Sequence, residues 1–351
     1  MLSTLYSIIL FIVIFFITVN NSYEQVSTND VVKLGFKTDE GLDEIVEIPK
    51  NKFIFDITPY YKQDQITIQS IDIRLNPLMN NTYDNIRNNS TSTVVIYPAF
   101  TQAAYEKGGF YDYYKKKCDT QCLTLPIPDK IHGLFSSNEI TTAVLVLLKY
   151  RFLTDIDVDK NPSILEKYDK VILLHNEYVT KTEYDAIVHH KNVVFLFPNA
   201  LYSQITTNYD KNTFTLVRGH GYPEPHIKNG FDWKYDNSRY EYDVKCDDWN
   251  FYKKENYTMI NCYPEFRILY SPELLRELTI NDPTNILTDL SNWIRSSNIN
   301  NSKELLNDFG INGKNIPYWV KKPATMTMNG DITRSQFNNI LTFLSDQNIL
   351  N

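Results

Sequence analysis

The stretch that most constrains the fold runs from Tyr168 to Gln204, YDKVILLHNEYVTKTEYDAIVHHKNVVFLFPNALYSQ. Two short runs within it, residues 171–174 and 193–197, are almost wholly apolar. Between them, residues 181–190 have helical spacing. Thr180 and Glu183 carry the S/T-x-x-E pattern of a capping box, which satisfies two orphan amides at a helix start. Tyr184, Ile187 and Val188 then fall at i, i+3 and i+4, one apolar face. The pattern predicts strand–helix–strand. Neither apolar run alternates, so each strand is expected to be covered on both faces, in a mainly parallel sheet with a right-handed crossover. His175, Asn176, Glu177 and Tyr178 stand just past the first run, and Asn199 and Tyr202 just past the second. Open α/β sheets take ligands outside the carboxyl ends of their strands, which makes these residues site candidates.

The flanking chain supplies further strands and helices. Residues 93–97, TVVIY, read as the first buried strand, ended by Pro98 and followed by Thr101 and Gln102. Ser136 and Glu139 form a second capping-box pattern, with Ile140, Val144, Leu147 and Leu148 as the buried stripe. Residues 152–158 read as a strand and 162–167 as a short helix. Residues 213–217 read as another strand, leading into Gly219-His220-Gly221, where glycines on both sides permit unusual backbone angles and close ligand approach. Residues 231–269 read as a disulfide-stapled hairpin layer on the same domain, and 272–278 and 284–295 as helices. Upstream, residues 20–48 read as a polar leader. Residues 53–57 and 65–73 read as a small antiparallel β region with a bulge between Ile68 and Ile71, and 79–92 as an Asn-rich loop. The expected layout is a signal peptide or membrane anchor over 1–22, a leader and small β region over 23–92, an α/β domain over 93–300 with helices on both sheet faces, and a helix–turn–helix tail over 316–351.

Residues 5–19, LYSIILFIVIFFITV, are uncharged and apolar. That is the length of a signal-peptide core and short of a full span of about 20 residues. The segment reads as a signal peptide or an uncleaved membrane anchor, and either places the remainder outside the cytoplasm. The four cysteines then become informative. Pairing Cys118 with Cys122 and Cys246 with Cys262 is the simplest of the connectivities, and a zinc site is the rival reading. Glycosylation sequons at Asn80, Asn88, Asn89, Asn256 and Asn300 suit an exported chain. The net charge of −7 weighs against a nucleic-acid partner.

Histidine suits proton transfer near neutral pH, and glutamate serves as its partner, a base or a metal ligand. The catalytic candidates are therefore Glu177, His220 and His175. The substrate-binding candidates are Asn176, Tyr178, Asn199, Tyr202 and Gln102, and the metal-ligand candidates are Glu177 and His220. Plainer readings exist for each: His175 as a bonded structural histidine, Glu177 as a helix cap, the aromatics of 105–114 as packing, and His189-His190 as a solvated helix C-terminus. No G-x-S-x-G, H-E-x-x-H or phosphate-loop pattern occurs, and no cysteine stands at a strand-to-helix turn. Elbow-type serine and cysteine hydrolysis is therefore disfavoured.

The segment from Tyr168 to Ser203, together with VVIYPAFTQAAYEKGGFYDYY and RGHGYPEPH, resembles uncharacterised exported proteins of ammonia-oxidising archaea. More distantly it resembles the carboxy-terminal domain of the N,N-dimethylformamidase large subunit, in the class I glutamine-amidotransferase-like group. The likeness spans residues 93–278 and implies a flavodoxin-like fold. Amidotransferase-like domains keep a nucleophilic cysteine at the turn that here reads His175-Asn176-Glu177-Tyr178, so that nucleophile is missing. The formamidase group holds an iron with tyrosines and a glutamate, a part that Glu177 and a nearby tyrosine would play. The tail, with Ile316, Pro317, Trp319, Gly330, Ile332, Phe337, Ile340, Phe343 and Leu344, resembles a short module on exported archaeal proteins, which implies attachment or protein contact. The expectation is an exported hydrolase of an amide or related C–N bond, using acid–base or metal-assisted chemistry with iron or zinc. The alternatives are a non-catalytic envelope protein binding a small molecule or envelope component, and a solute-binding role in nitrogen scavenging.

Overall fold

The computed structural model describes residues 31–37, 43–61, 68–129 and 138–279, with the single positions 327, 333, 336 and 337. The N-terminal apolar segment, Ser136, the expected helix over 284–295 and nearly all of the tail appendage lie outside the described residues. Two hairpins come first: β1 (Val31–Lys37) pairs antiparallel with β2 (Asp43–Pro49), and β3 (Phe55–Tyr61) with β4 (Ile68–Leu75). The first corrects the leader expected over 20–48. Val32 and Leu34 alternate inward opposite Ile48 and Val46, so a hidden period of two outweighs the polar composition. The expected bulge is present, since Tyr60 pairs with Ser70 and Tyr61 with Ile68, leaving Gln69 unpaired.

The Asn-rich stretch expected as a loop instead forms helix α1 (Asn80–Ile86). Tyr83 and Ile86, three apart, bury one face, and the Tyr83 hydroxyl accepts the Asn76 amide at 2.8 Å and donates to the Ile54 carbonyl. Next come β5 (Thr93–Tyr97), α2 (Ala99–Tyr105), α3 (Phe110–Tyr114), β6 (Thr124–Pro126), α4 (Glu139–Leu147) and β7 (Arg151–Thr154). The strand expected over 152–158 stops at Thr154 and turns into α5 (Asp155–Lys160). The Thr154 hydroxyl accepts the Asp157 amide while the Asp157 carboxylate accepts the Thr154 amide, a complete capping box that ends the strand.

The opening stretch is strand–helix–strand as expected, with one insertion. The chain runs from β8 (Lys170–Leu173) into β9 (Tyr178–Thr180), then α6 (Lys181–Val188) and β10 (Val193–Phe195). It continues through β11 (Ser203–Asn208), β12 (Thr213–Arg218), β13 (Phe251–Lys254) and β14 (Tyr257–Ile260) to α7 (Pro272–Thr279). The central sheet has the order β13-β14-β10-β8-β5-β7, and every pair is parallel except β13–β14. The parallel strands, counted along the chain, thus lie in the order second, first, third, fourth, fifth. Alternate residues feed opposite faces. Val95, Ile172, Leu174 and Val194 meet α1, α4, α7 and the two hairpins, while Val94, Val171, Leu173 and Phe195 meet α5 and α6. The N-terminal β region therefore shares a core with the sheet.

Two expectations about strands change. The 251–260 hairpin is the edge of the central sheet, since β14 pairs with β10. Strand β12 belongs to a second sheet, β6-β12-β11-β9, whose core is Phe100, Phe110, Tyr178, Ile205 and Phe214. The capping box at α6 is half made: the Thr180 hydroxyl accepts the Glu183 amide at 3.1 Å, but neither Glu183 carboxylate oxygen has a partner. Glu183 is fully buried, and desolvation together with the nearby Asp155 and Asp159 pushes its pKa well up. A buried polar group without a bond costs about 1–3 kcal/mol. Glu183→Met is thus expected to stabilise the protein by about that amount, read as a higher urea midpoint. A lowered midpoint would show that the carboxyl is holding the fold together.

Candidate functional site

The site is built where the chain leaves the central sheet for the second one. From β8 the backbone passes through Leu174, His175, Asn176 and Glu177 directly into β9. The strand-end loop after β10 clamps this passage: Leu201 N–H donates to the Asn176 carbonyl at 2.8 Å, and Tyr202 and Ser203 N–H donate to the Glu177 carbonyl at 3.1 and 2.8 Å. On the other side, α2 starts at the end of β5. Its first turn is held by the buried Asp155 carboxylate, which accepts the Phe100 amide at 3.0 Å, and its Thr101 hydroxyl accepts the Tyr178 amide at 3.1 Å. The cluster thus lies between β5 and β8, the neighbours at which the strand order reverses and where open α/β sheets form a crevice.

Glu177 is the centre, with none of its surface exposed. The Tyr105 hydroxyl donates to its Oε2 at 2.7 Å, and the Tyr111 hydroxyl donates in turn to that of Tyr105 at 2.7 Å. His220 Nδ1 stands 3.3 Å from Oε1, an ion-pair distance. His175 Nε2 lies 4.0 Å from Glu177 Oε2 and 3.9 Å from Glu241 Oε1, and Asn199 Nδ2 donates to that same Glu241 oxygen at 3.0 Å. His220 has a left-handed backbone, φ 52°, between Gly219 at 116° and Gly221 at 78°. A Cβ on Gly219 would come within 2.9 Å of the Tyr202 carbonyl, so glycine is what lets the turn after β12 press onto the β11 start. The rings of Tyr111, Tyr114 and Tyr202 surround His220, with centroids at 5.5, 4.5 and 6.1 Å. The His220 side chain is 28% exposed, whereas that of His175 is 3% exposed.

The electrostatics divide the groups. Burial alone would raise the Glu177 pKa, but His220, His175 and the Tyr105 hydroxyl together bring it below the usual carboxylate value, so Glu177 is ionised. Burial lowers His175, against the weaker pull of Glu177, so that imidazole is neutral near pH 7. Desolvation and then the Glu177 charge raise Tyr114 and Tyr178. Tyr202 is pushed up to about 12, by burial first and then by Asp236 and Glu177. At least half of the buried side-chain polar atoms that lack a hydrogen-bond partner, among the described residues, lie here. They include both ring nitrogens of His175, both amide atoms of Asn176, Asn199 Oδ1 and the hydroxyls of Tyr114 and Tyr178. Folded proteins leave few such groups, and a concentration of them singles this place out as a candidate site.

The structure brings together Glu177, His175 and His220, with Asn176, Tyr178, Asn199 and Tyr202 adjoining. Gln102 accepts the Tyr97 hydroxyl at 2.9 Å. Among the described residues, one group of three metal-type ligands converges: His175, Glu177 and Glu241, with ligand atoms within 4.8 Å of one another. His220, expected as the second ligand, pairs with the other Glu177 oxygen instead. His189 fits the exposed helix end expected of it. His190 does not, because it is buried with its ring nitrogens near the Asn192 and Tyr168 carbonyls, each at 3.0 Å. Glu241 gave no signal in the sequence, since it sits in an irregular segment after a single 3-10 turn. Tyr105, Tyr111 and Tyr114 were visible only as aromatic density past the first strand. Both expected disulfides are formed, Cys118–Cys122 and Cys246–Cys262, with Cα atoms 6.2 and 5.2 Å apart. They suit an oxidising, extracytoplasmic setting, and no helix among the described residues is long and apolar enough to cross a membrane. No family model matches the chain and no curated protein matches it.

Proposed function

We propose that the chain is an exported α/β protein of flavodoxin-like, class I amidotransferase-like topology that hydrolyses an amide or related C–N bond without a cysteine nucleophile. The observation that carries this reading is Glu177: a fully buried, ionised carboxylate, 3.3 Å from His220 Nδ1 and bonded to the Tyr105 hydroxyl, at the reversal of strand order. The order second, first, third, fourth, fifth is that of flavodoxin-like sheets.

In this reading Glu177 is the base. It withdraws a proton from the attacking water, which its ionised state at neutral pH permits. His220, the most exposed of the catalytic candidates, takes that proton across the Nδ1–Oε1 contact and passes it to the departing nitrogen. Tyr105, itself held by Tyr111, keeps the Glu177 carboxylate in one orientation. The donor set also fits a divalent iron or zinc ion, because His175 offers a neutral imidazole with unbonded nitrogens between two carboxylates. His175, Glu177 and Glu241 would hold it. Such an ion supplies Lewis acidity toward a carbonyl oxygen and lowers the pKa of bound water.

Metal analysis of the purified protein, alongside Glu177→Ala, tests the reading. Stoichiometric iron or zinc that is lost in Glu177→Ala, with turnover on a panel of small amides, is the expected result. A metal-free protein inert toward the panel ends the hydrolase reading. One observation favours a second role, a non-catalytic envelope protein that kept the fold: the tyrosines of α2 and α3 lie against Glu177 and His220, and no part of Glu177 reaches solvent. Tight binding of a small envelope component without turnover would favour that role.

A further inference from the structure

We infer that the Cys246–Cys262 disulfide assembles the His175 side of the site, so that Glu241 is set against His175 only in a chain whose two thiols have been oxidised. The inference rests on the proposed function only in giving that group a ligand to bind.

Two side chains approach His175 from the segment that this crosslink ties down. Glu241 stands 3.9 Å from His175 Nε2, and the Tyr263 ring meets the imidazole edge-on with centroids 5.7 Å apart. Glu241 lies five residues before Cys246, and Tyr263 directly follows Cys262. The two sides are also joined by the Tyr263 amide, which donates to the Asp243 carbonyl at 2.8 Å. Asn199 Nδ2 also donates to the Glu241 carboxylate at 3.0 Å, and little regular structure surrounds Glu241. Its neighbourhood has one 3-10 turn, Ser238–Tyr240, and hangs from the strand ends through Asn237, which accepts the Asn199 amide and donates to the Ile260 carbonyl. Both cysteines are fully buried, and Cys246 has φ 52°, a left-handed conformation that L side chains avoid. Besides the crosslink, that bend is held by the Asp243 carboxylate, which accepts the Cys246 amide at 3.3 Å. Cys118–Cys122 provides a control, because it is partly exposed and neither it nor its immediate neighbours meet His175.

In the oxidation, the two thiols give up two protons and two electrons and form one S–S bond. A disulfide-exchange partner accepts both pairs and leaves as a dithiol. Thiol pools of the cytosol hold such cysteines reduced, whereas exported chains meet oxidising partners. The site would thus be incomplete in the cell that makes the protein and complete outside it.

The test compares the full chain with two double variants, Cys246→Ser with Cys262→Ser and Cys118→Ser with Cys122→Ser, using zinc ion alone and backbone hydrogen exchange. The 246/262 variant is expected to bind zinc at least about tenfold more weakly, in line with losses from removing groups that orient a ligand. Its exchange protection should fall at the Tyr263 amide and across 237–246, with the central strands unchanged. The 118/122 variant should match the parent. Unaltered protection at Tyr263 and affinity within about twofold of the parent would overturn the inference. Global loss of protection would overturn it too, by making the disulfide a staple of the whole fold. If the parent binds no zinc, the metal reading fails, and the exchange pattern alone still decides whether the crosslink places Glu241.

Discussion

The thermal midpoint is expected to fall as pH rises from 5 to 8. Several buried carboxyl groups prefer to be protonated in the fold. Glu265 is fully buried and accepts the Ile140 amide at 2.7 Å, the Thr141 amide at 3.3 Å and the Thr141 hydroxyl at 2.7 Å. Those donors lower its pKa, but desolvation outweighs them and carries it from 4.5 to about 8. Burial likewise moves Glu139 to about 7, and Asp155 and Glu183 rise well above their ordinary values. For a raised carboxyl the folded state binds more protons than the unfolded one between the two pKa values. Its stabilisation is then complete below about pH 4.5 and lost as pH climbs through the folded value. Each group sets a slope of up to about 1.4 kcal/mol per pH unit within its window. Glu177 has the opposite sign, because its depressed pKa contributes above 4.5 and is lost only in stronger acid. Lys170, lowered to about 8 by burial, acts above that pH and restores stability as pH rises further. Denaturation curves at half-unit steps check the profile. Glu265→Gln should flatten it between pH 5 and 8 while lowering the whole curve, since an amide cannot accept three donors as a carboxyl does. An unchanged slope in that variant would assign the pH dependence elsewhere.

Glu177→Gln is expected to abolish function while leaving the fold in place. Glutamine has the same volume and still accepts the Tyr105 hydroxyl, so the packing of α2 on the β8–β9 passage is kept. The charge is lost. His220 then faces a neutral amide at 3.3 Å, and the proton transfer proposed for the carboxylate has no base. General-base removal costs about 10²–10⁴ in rate, and the His175–Glu177–Glu241 group loses one of its two carboxylates. The measurement is kcat on a cleaved amide beside bound metal and far-ultraviolet circular dichroism. Full turnover with an unchanged metal content would move the chemistry away from Glu177. Unfolding of this isosteric variant would mean that the carboxylate serves the core rather than a ligand.

The sequence carried the central layer well, because its signals are local. Apolar runs without alternation, a threonine cap and the period of α6 each act within about ten residues, and each survives into the structure. What stayed hidden is set by distant contacts or by competing local chemistry. Asn-rich α1 becomes helical because Tyr83 finds the Ile54 carbonyl and Asn76, a partnership no local pattern announces. The strand over 152–158 was shortened by a Thr154–Asp157 box that reads as mere polarity. The site divides the same way. Glu177, His175 and His220 were legible because strand ends and a glycine-flanked turn position them. Glu241 was not, because its place depends on a hydrogen bond from Asn199, 42 residues back along the chain.

The late arrival of β14 in the central sheet bears on how the chain finds its fold. Val193 pairs with Tyr257, so β10 must wait, exposed on one edge, while β11, β12 and the irregular segment behind them are made. Closing a loop of that length costs conformational entropy before any ladder bond repays it, and pairings between distant residues set slow folding rates. During synthesis the edge of β10 is open for the time it takes to produce the chain up to Ile260. Val194 and Phe195 would then be a natural place for a chaperone to bind, and for two unfinished copies to find each other first.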